Sequence, residues 1–185
     1  KLGHSYSPEL HAFFGNYDYE LFEVPPDQLG DFIRARDFQG LNVTIPYKTT
    51  MLAICDDLTE AAAAIGSVNT VVKQLDGSLL GDNTDAAGFE GMVWKSRMRI
   101  LGRKCLVLGS GGASLSVQYV LRKLGAGEIV VISRTGEDNY TNLDRHRDAS
   151  ILVNTTPVGM YPNTAASPVD LREFPQCEGV LDLIY

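Results

Sequence analysis

The segment Leu106-Val107-Leu108-Gly109-Ser110-Gly111-Gly112-Ala113-Ser114 constrains this chain more than any other. It reads as an apolar strand, a tight turn and the start of a helix. Such a turn needs a glycine where φ becomes positive, and another where the backbone must come close to a pyrophosphate. The helix start then offers unpaired N–H groups and the positive end of its dipole. A glycine pattern alone carries little; the strand–turn–helix context is what a dinucleotide site demands. Ser114 stands where the usual pattern has its third glycine. The bland alternative is an ordinary βα turn of an α/β protein.

Periodicity around the turn supports an α/β fold. Residues 104–108 form a short apolar strand. Residues 113–124 follow as a helix with Val117, Val120, Leu121 and Leu124 on one face, ended by Gly125-Ala126-Gly127. Strands are expected at 128–132, 151–154 and 180–184, and a connecting helix at 86–97. The domain boundary is placed near Asp85, giving 1–85 and a Rossmann-like, dinucleotide-binding 86–185.

In the first half, Ser7 can cap a helix with Pro8 in its first turn and Leu10, Phe13 and Phe14 on one face. Strands at 19–24 and 40–45, flanking a helix at 26–36, suggest a parallel βαβ unit. Pro46 opens a helix to about Ile54, residues 59–65 form another, and Asp76-Gly77 turns a hairpin.

The strand at 128–132 runs into Ser133-Arg134-Thr135. NAD sites place an acidic residue about twenty positions past the turn. Here Arg134 could stack on adenine and pair with a 2′-phosphate, which favours NADP, with NAD as the alternative. Glu137-Asp138 brings negative charge close behind. A solvated strand end is the bland reading of Arg134.

The net charge of −7 disfavours nucleic acid and anionic membranes as partners. No apolar run reaches the length of a membrane span, and nothing at the start reads as a signal peptide. The three separated cysteines, Cys55, Cys105 and Cys177, read as reduced structural thiols in a cytoplasmic protein without a metal site. His4, His11 and His146 have no ligand-like spacing. The chain starts at Lys1 and stops in a strand-like segment. The expectation is therefore most of a protein, lacking a little at the front and more at the back.

Several polar residues of the first half admit two readings. Lys48, expected in the first turn of a helix, opposes the helix dipole, so local stability does not ask for it. It is either a proton-exchanging lysine or a surface one. Asp85 closes Gly81-Asp82-Asn83-Thr84-Asp85 and is either a functional carboxylate or the usual helix-start residue, with Asp82 as competitor. Asn69 interrupts an apolar strand and must find a structural or a ligand partner. Ser5 and Ser7 could hold an anion together.

These segments, in order along nearly the whole chain, resemble the shikimate dehydrogenase family. The matching stretches run from Gly3-His4-Ser5-Tyr6-Ser7-Pro8 through Asn42 to Lys48, Gly66 to Thr70, Gly81 to Phe89 and the glycine turn, then Ser133-Arg134-Thr135, Asn154 to Met160 and Asp182 to Tyr185. The resemblance implies an N-terminal α/β substrate domain and a Rossmann-like domain with the active site in the cleft between them. It implies reversible NADPH-dependent reduction of 3-dehydroshikimate to shikimate, on the route to chorismate and the aromatic amino acids. Lys48 and Asp85 match the catalytic pair. Ser5 and Ser7, helped by Tyr185, match the binders of the substrate carboxylate, and Thr44 and Asn69 those of the ring hydroxyls. Gly109, Gly111, Gly112 and Ala113 match the pyrophosphate turn, and Ser133, Arg134 and Thr135 the family's Asn-Arg-Thr. Thr155 and Leu183 match the nicotinamide side, and Glu60 an acidic position near the cofactor. The second basic residue frequent after Asn-Arg-Thr is replaced by Gly136-Glu137-Asp138, and the family's C-terminal return helix has no counterpart in these residues. A homodimer is compatible with the family. The alternatives are a quinate/shikimate dehydrogenase using both NAD and NADP, and a non-catalytic dinucleotide or shikimate sensor. Intact Lys48 and Asp85 argue against the sensor.

Overall fold

The computed structural model describes residues 5–184, in two compact units, Lys1–Gln39 and Gly40–Tyr185. The first unit carries helices α1 (Ser7–Phe14) and α2 (Leu29–Ala35). Helix α1 begins at Ser7 with Tyr6 as its cap, so Ser7 is not the capping residue expected from sequence. The Ser5 hydroxyl instead accepts from the Ser7 N–H at 3.3 Å. No residue of α1 is buried, and Phe13 and Phe14 stand exposed. His11 is stacked on Tyr19 and hydrogen-bonded to the Tyr17 hydroxyl, and Phe32 lies between Phe22 and Phe38. Residues 19–24 form no strand among the described residues. A strand is defined by a ladder to a neighbour, which an extended apolar run alone cannot supply.

The second unit holds two four-stranded sheets. The first comprises β1 (Gly40–Asn42), β2 (Asp57–Leu58), β3 (Thr70–Lys73) and β4 (Leu79–Asp82) in the order β1-β3-β4-β2. Strand β1 pairs antiparallel with β3, not in a parallel unit. The β3–β4 hairpin forms as expected, with Gly77 at φ +86° and Asp76 accepting from the Ser78 N–H and hydroxyl. Helix α3 (Met51–Ile54) starts five residues later than Pro46 would suggest. The reason is a long-range bond. The Lys48 carbonyl accepts from the Val68 N–H at 2.8 Å, while the Leu52 N–H turns to Thr49, so 45–50 remains a string of turns. Helix α4 (Glu60–Ile65) is capped by the Thr59 hydroxyl and ended by Gly66 in the left-handed region.

The second sheet is wholly parallel: β5 (Lys104–Leu108), β6 (Glu128–Ile132), β7 (Ile151–Asn154) and β8 (Gly179–Asp182), in the order β6-β5-β7-β8. Its central strands are buried on both faces, as continuous apolar runs in a covered parallel sheet must be. Helices α5 (Thr84–Ser96) and α6 (Gly112–Lys123) cover one face, where Phe89, Val93, Val117, Val120 and Leu121 pack on Cys105, Val107, Ile151 and Val153. Phe174, with Tyr140 and Leu143, covers the other against Leu106, Leu108, Ile132 and Leu152. The chain leaves β5 for β6 on one side, then returns to β7 on the other. The carboxyl ends of β5 and β7 therefore form a topological switch point, the place where open α/β sheets bind ligands. No helix among the described residues is long and apolar enough to cross a membrane.

Candidate active site

The glycine turn sits at that switch point. Gly109 has φ +105° and donates its N–H to the Ile132 carbonyl at 2.8 Å. A Cβ there would come within 2.8 Å of the Thr155 hydroxyl, so the position demands glycine for both backbone and space. Thr155 in turn donates its N–H and hydroxyl to the Leu108 carbonyl at 2.9 and 2.7 Å, locking the end of β7 to the end of β5. Gly111 and Gly112 differ: a Cβ on either would meet nothing within 4 Å. The protein leaves the space over them open. Gly111 is the cap of α6, no side chain caps that end, and its first turn carries no acid. Gly111, Gly112 and Ala113 thus present backbone to an anion at the positive end of a twelve-residue helix. This cradle fits a dinucleotide pyrophosphate.

Ser133, Arg134 and Thr135 follow directly from β6, whose last residue pairs with Leu108. Arg134 and Thr135 are exposed, and Arg134 pairs with no carboxylate among the described residues. The acidic pair behind it is split. Glu137 is exposed, but Asp138 turns toward His146 and Arg145, at 2.9 and 3.2 Å. The hydrogen bond from His146, aided by the charges of His146, Arg145 and Lys104, holds the Asp138 carboxyl below the usual range. Half of the negative charge expected to oppose a 2′-phosphate is already paired within the protein.

Asp85, the second residue of α5, lies 3.1 Å through Oδ2 from the Nζ of Lys48, which belongs to the turns before α3. Both side chains are partly exposed, at 29 % for Lys48 and 42 % for Asp85. A pair so accessible contributes little to stability, about 0–1 kcal/mol. Its position, open to a ligand, is the more telling property.

Asn69 is buried and sits beside this pair. Its backbone continues the first sheet, donating to Asp82 and accepting from Val43, the neighbour of exposed Thr44. Its Oδ1 accepts from the Thr84 N–H at 2.9 Å, the Thr84 hydroxyl at 3.1 Å and the Thr70 hydroxyl at 3.0 Å. Three donors on one atom fix the amide orientation. Asn69 thereby caps α5 from the residue just before β3, a task that the formal cap Asn83 does not perform. The Asn69 Nδ2 group has no partner among the described residues and is the half of the side chain left for a ligand.

Asp82, the competitor of Asp85, accepts from the Thr59 hydroxyl at 2.6 Å and the Asn83 N–H at 2.7 Å. It braces the start of α4. Ser5 and Ser7 lie in the first unit, and Tyr185 and the Gly3-His4 turn lie outside the described residues. Leu183 is half-buried and donates its N–H to the Asn154 carbonyl at 3.1 Å, so it stands beside Thr155. Glu60 stands apart from the glycine turn. It is exposed in the first turn of α4, and its charge reaches Lys123 in the last turn of α6, at the end opposite Gly112.

Two buried asparagines escape the sequence reading. Asn154 donates to the Val158 carbonyl and Asp182, and accepts from the Thr156 N–H and hydroxyl, which fixes the loop after β7. Asn83 donates to the Ser67 carbonyl and accepts from Ser116 of α6. It ties the start of α5, with Asp85, to the glycine-turn helix. Asn154 ends the apolar run Ile151-Leu152-Val153, a signal like the one that singles out Asn69, whereas Asn83 lies within the polar run Asp82-Asn83-Thr84-Asp85 and gives no such signal. Among the described residues no group of three His, Cys, Asp or Glu could hold a metal ion.

The family model described as the shikimate dehydrogenase substrate binding domain matches residues 1–71. The shikimate dehydrogenase (NADP(+)) of Clostridium perfringens is 36 % identical over 206 residues, covering 100 % of this chain and 76 % of the relative. A chorismate mutase/shikimate 5-dehydrogenase fusion protein from Clostridium acetobutylicum superposes with a TM-score of 0.89 at 36 % identity, covering 100 % of this chain and 74 % of that one. Shikimate 5-dehydrogenase from Thermus thermophilus, solved with NADP(H) and shikimate, gives 0.82 at 35 % identity, with coverages of 100 % and 76 %. With similarity at this level along its full length, the chain belongs to the shikimate dehydrogenase family.

Proposed function

We propose that this protein catalyses the reversible, NADPH-dependent reduction of 3-dehydroshikimate to shikimate, in the synthesis of chorismate and the aromatic amino acids. Residues 1–85 serve as the substrate domain and 86–185 as the cofactor domain. The observation that carries the reading is the 3.1 Å Lys48–Asp85 pair, partly exposed and adjoining the Asn69–Thr84 corner. The names of the relatives, and the NADP(H) and shikimate held by the Thermus thermophilus enzyme, support the choice of substrate and cofactor.

The bound cofactor supplies or accepts a hydride at nicotinamide C4. Lys48 Nζ gives its proton to the C3 oxygen as the ketone is reduced and takes it back in reverse. Asp85 holds Nζ in place and accepts from a ring hydroxyl. Thr44 and the Asn69 Nδ2 group bond the ring hydroxyls, and Ser5 and Ser7 take the substrate carboxylate with Tyr185. Gly109, Gly111, Gly112 and Ala113 hold the pyrophosphate. Ser133, Arg134 and Thr135 hold the 2′-phosphate and adenine end, and Thr155 and Leu183 flank the nicotinamide. The compartment that goes with this reading is the cytoplasm. The proposed assembly is a homodimer, which the mass in solution tests.

Lys48→Ala tests the mechanism. Turnover falls by about 10²–10⁴-fold, the usual worth of a general acid–base group, while NADP+ binding is kept. Turnover at the wild-type rate refutes it. Rates with shikimate and quinate, each with NADP+ and NAD+, test the substrate. Activity confined to quinate with NAD+ overturns the reading, and a wild-type protein that binds both ligands without turnover marks a sensor.

A further inference from the structure

The loop after Arg134 is closed on itself. The Ser133 N–H bonds the Asp138 carbonyl at 3.2 Å, Asn139 Nδ2 bonds the Gly136 carbonyl at 3.1 Å, and Asn142 Nδ2 bonds the Glu137 carbonyl at 2.9 Å. Asn139 and Asn142 are joined by a further bond at 2.9 Å. Gly136 is packed so tightly that a Cβ would meet the Ser133 hydroxyl at 2.6 Å. Little freedom remains for the loop to carry Asp138 elsewhere.

The side chain of Asp138 is held as firmly. Its Oδ1 accepts from His146 Nε2 at 2.9 Å and lies 3.2 Å from the Arg145 guanidinium. A carboxylate only accepts, so Nε2 carries the proton of this bond. His146 is 7 % exposed, so its ring is a fixed post. Arg145 supplies a permanent cation. Arg134, four residues before Asp138, faces solvent with no carboxylate partner among the described residues. The division of charge within the loop is thus uneven: the acid is engaged and the guanidinium is left for a ligand.

We propose that Arg145 and His146 are positioning residues for cofactor specificity, which hold the Asp138 carboxylate away from the phosphate that Arg134 meets. This rests on the reading that the protein uses NADP. Without the clamp, a carboxylate within the same short loop would neutralise Arg134 and repel a dianionic 2′-phosphate, and leave the 2′-hydroxyl of NAD less affected.

The test is isothermal titration of the purified protein with NADP+ and with NAD+, comparing the ratio of the two dissociation constants. Arg145→Gln lowers the preference for NADP+ by roughly three- to tenfold, the effect of one partly screened charge. Arg145→Lys restores most of it. Asp138→Asn keeps the wild-type preference or raises it, and adding Arg145→Gln to Asp138→Asn changes nothing further. Arg145 is half exposed, so its removal does not endanger folding. An equal loss of preference in both backgrounds would show that Arg145 attracts phosphate by its own charge, and overturns the clamp. So does a wild-type preference that Arg145→Gln leaves intact. Wild-type protein that binds NAD+ as tightly as NADP+ overturns the cofactor reading itself, and the clamp with it.

Discussion

Asn69 Oδ1 accepts the Thr84 N–H at 2.9 Å, which joins the residue before β3 to the first turn of the helix that carries Asp85. One amide thus performs two tasks from its two ends. The oxygen closes an unsatisfied helix donor, and the nitrogen is left for the site.

The two tasks separate by substitution. Asn69→Ala removes both and costs about 1–2 kcal/mol, as the loss of a cap with a buried donor left unmet. Asn69→Asp keeps an acceptor for Thr84 and adds a favourable charge at a helix N-terminus, but loses the N–H donors. It melts close to wild type while KM for shikimate rises several-fold. Thermal melts beside steady-state kinetics check this. A normal KM in Asn69→Asp would remove Nδ2 from substrate binding.

The glycine turn allows a similar separation. Gly109→Ala forces a side chain into φ +105° and to within 2.8 Å of the Thr155 hydroxyl. It destabilises by about 1–3 kcal/mol, as other strained backbone positions do. Gly111→Ala meets open space at φ −81°. It folds with wild-type stability yet binds NADP+ more weakly by about tenfold or more, a loss of roughly 1.4 kcal/mol, because the new methyl occupies the space of the pyrophosphate. Urea unfolding and cofactor titration on the same samples decide both outcomes.

The legibility of these features in sequence follows their physics. The central strands β5 and β7 are recognisable to the residue, since a parallel strand buried on both faces must be a short, largely apolar run. Lys104 to Leu108 and Ile151 to Asn154 could be little else. Residues 19–24 have comparable strand character, but the missing condition is a partner, which no local pattern specifies. Lys48 reads as helical because Pro46 suits a helix start. What prevents it is non-local: the Lys48 carbonyl is taken by the N–H of Val68. Long-range pairing of the same kind brings Lys48 and Asp85 together across 37 positions, which spacing alone does not show. The clamp on Asp138 is hidden for a related reason. Its charge counts in the sequence, whereas its cancellation by Arg145 and His146 depends on how the loop closes.

Asp85→Asn separates catalysis from stability. The Lys48–Asp85 pair is partly exposed, so its loss changes unfolding free energy by no more than about 1 kcal/mol. Loss of the carboxylate that holds Nζ lowers kcat by about 10²-fold or more. Denaturant titration and single-turnover rates test the two halves separately. A loss of stability well above that range, with kcat retained, would assign the pair to the fold instead.

Cys105 gives a prediction about pH. It lies fully buried in β5, and burial pushes its thiol up from an ordinary value of 9.0 to about 11. The unfolded chain therefore releases this proton at lower pH than the native protein does. Below about pH 9 both states hold the proton, and stability is independent of the group. Between about 9 and 11 the unfolded state binds fewer protons, so stability falls as pH rises. Urea midpoints measured from about pH 8 to 11 decline for the wild type and decline less steeply for Cys105→Ala. The small cavity left by alanine adds only an offset that does not depend on pH. Parallel slopes would show that the thiol ionises equally easily in both states. In the native protein at about pH 8, iodoacetamide leaves Cys105 unmodified, since the reactive thiolate is both scarce and inaccessible there, and labels it only after unfolding.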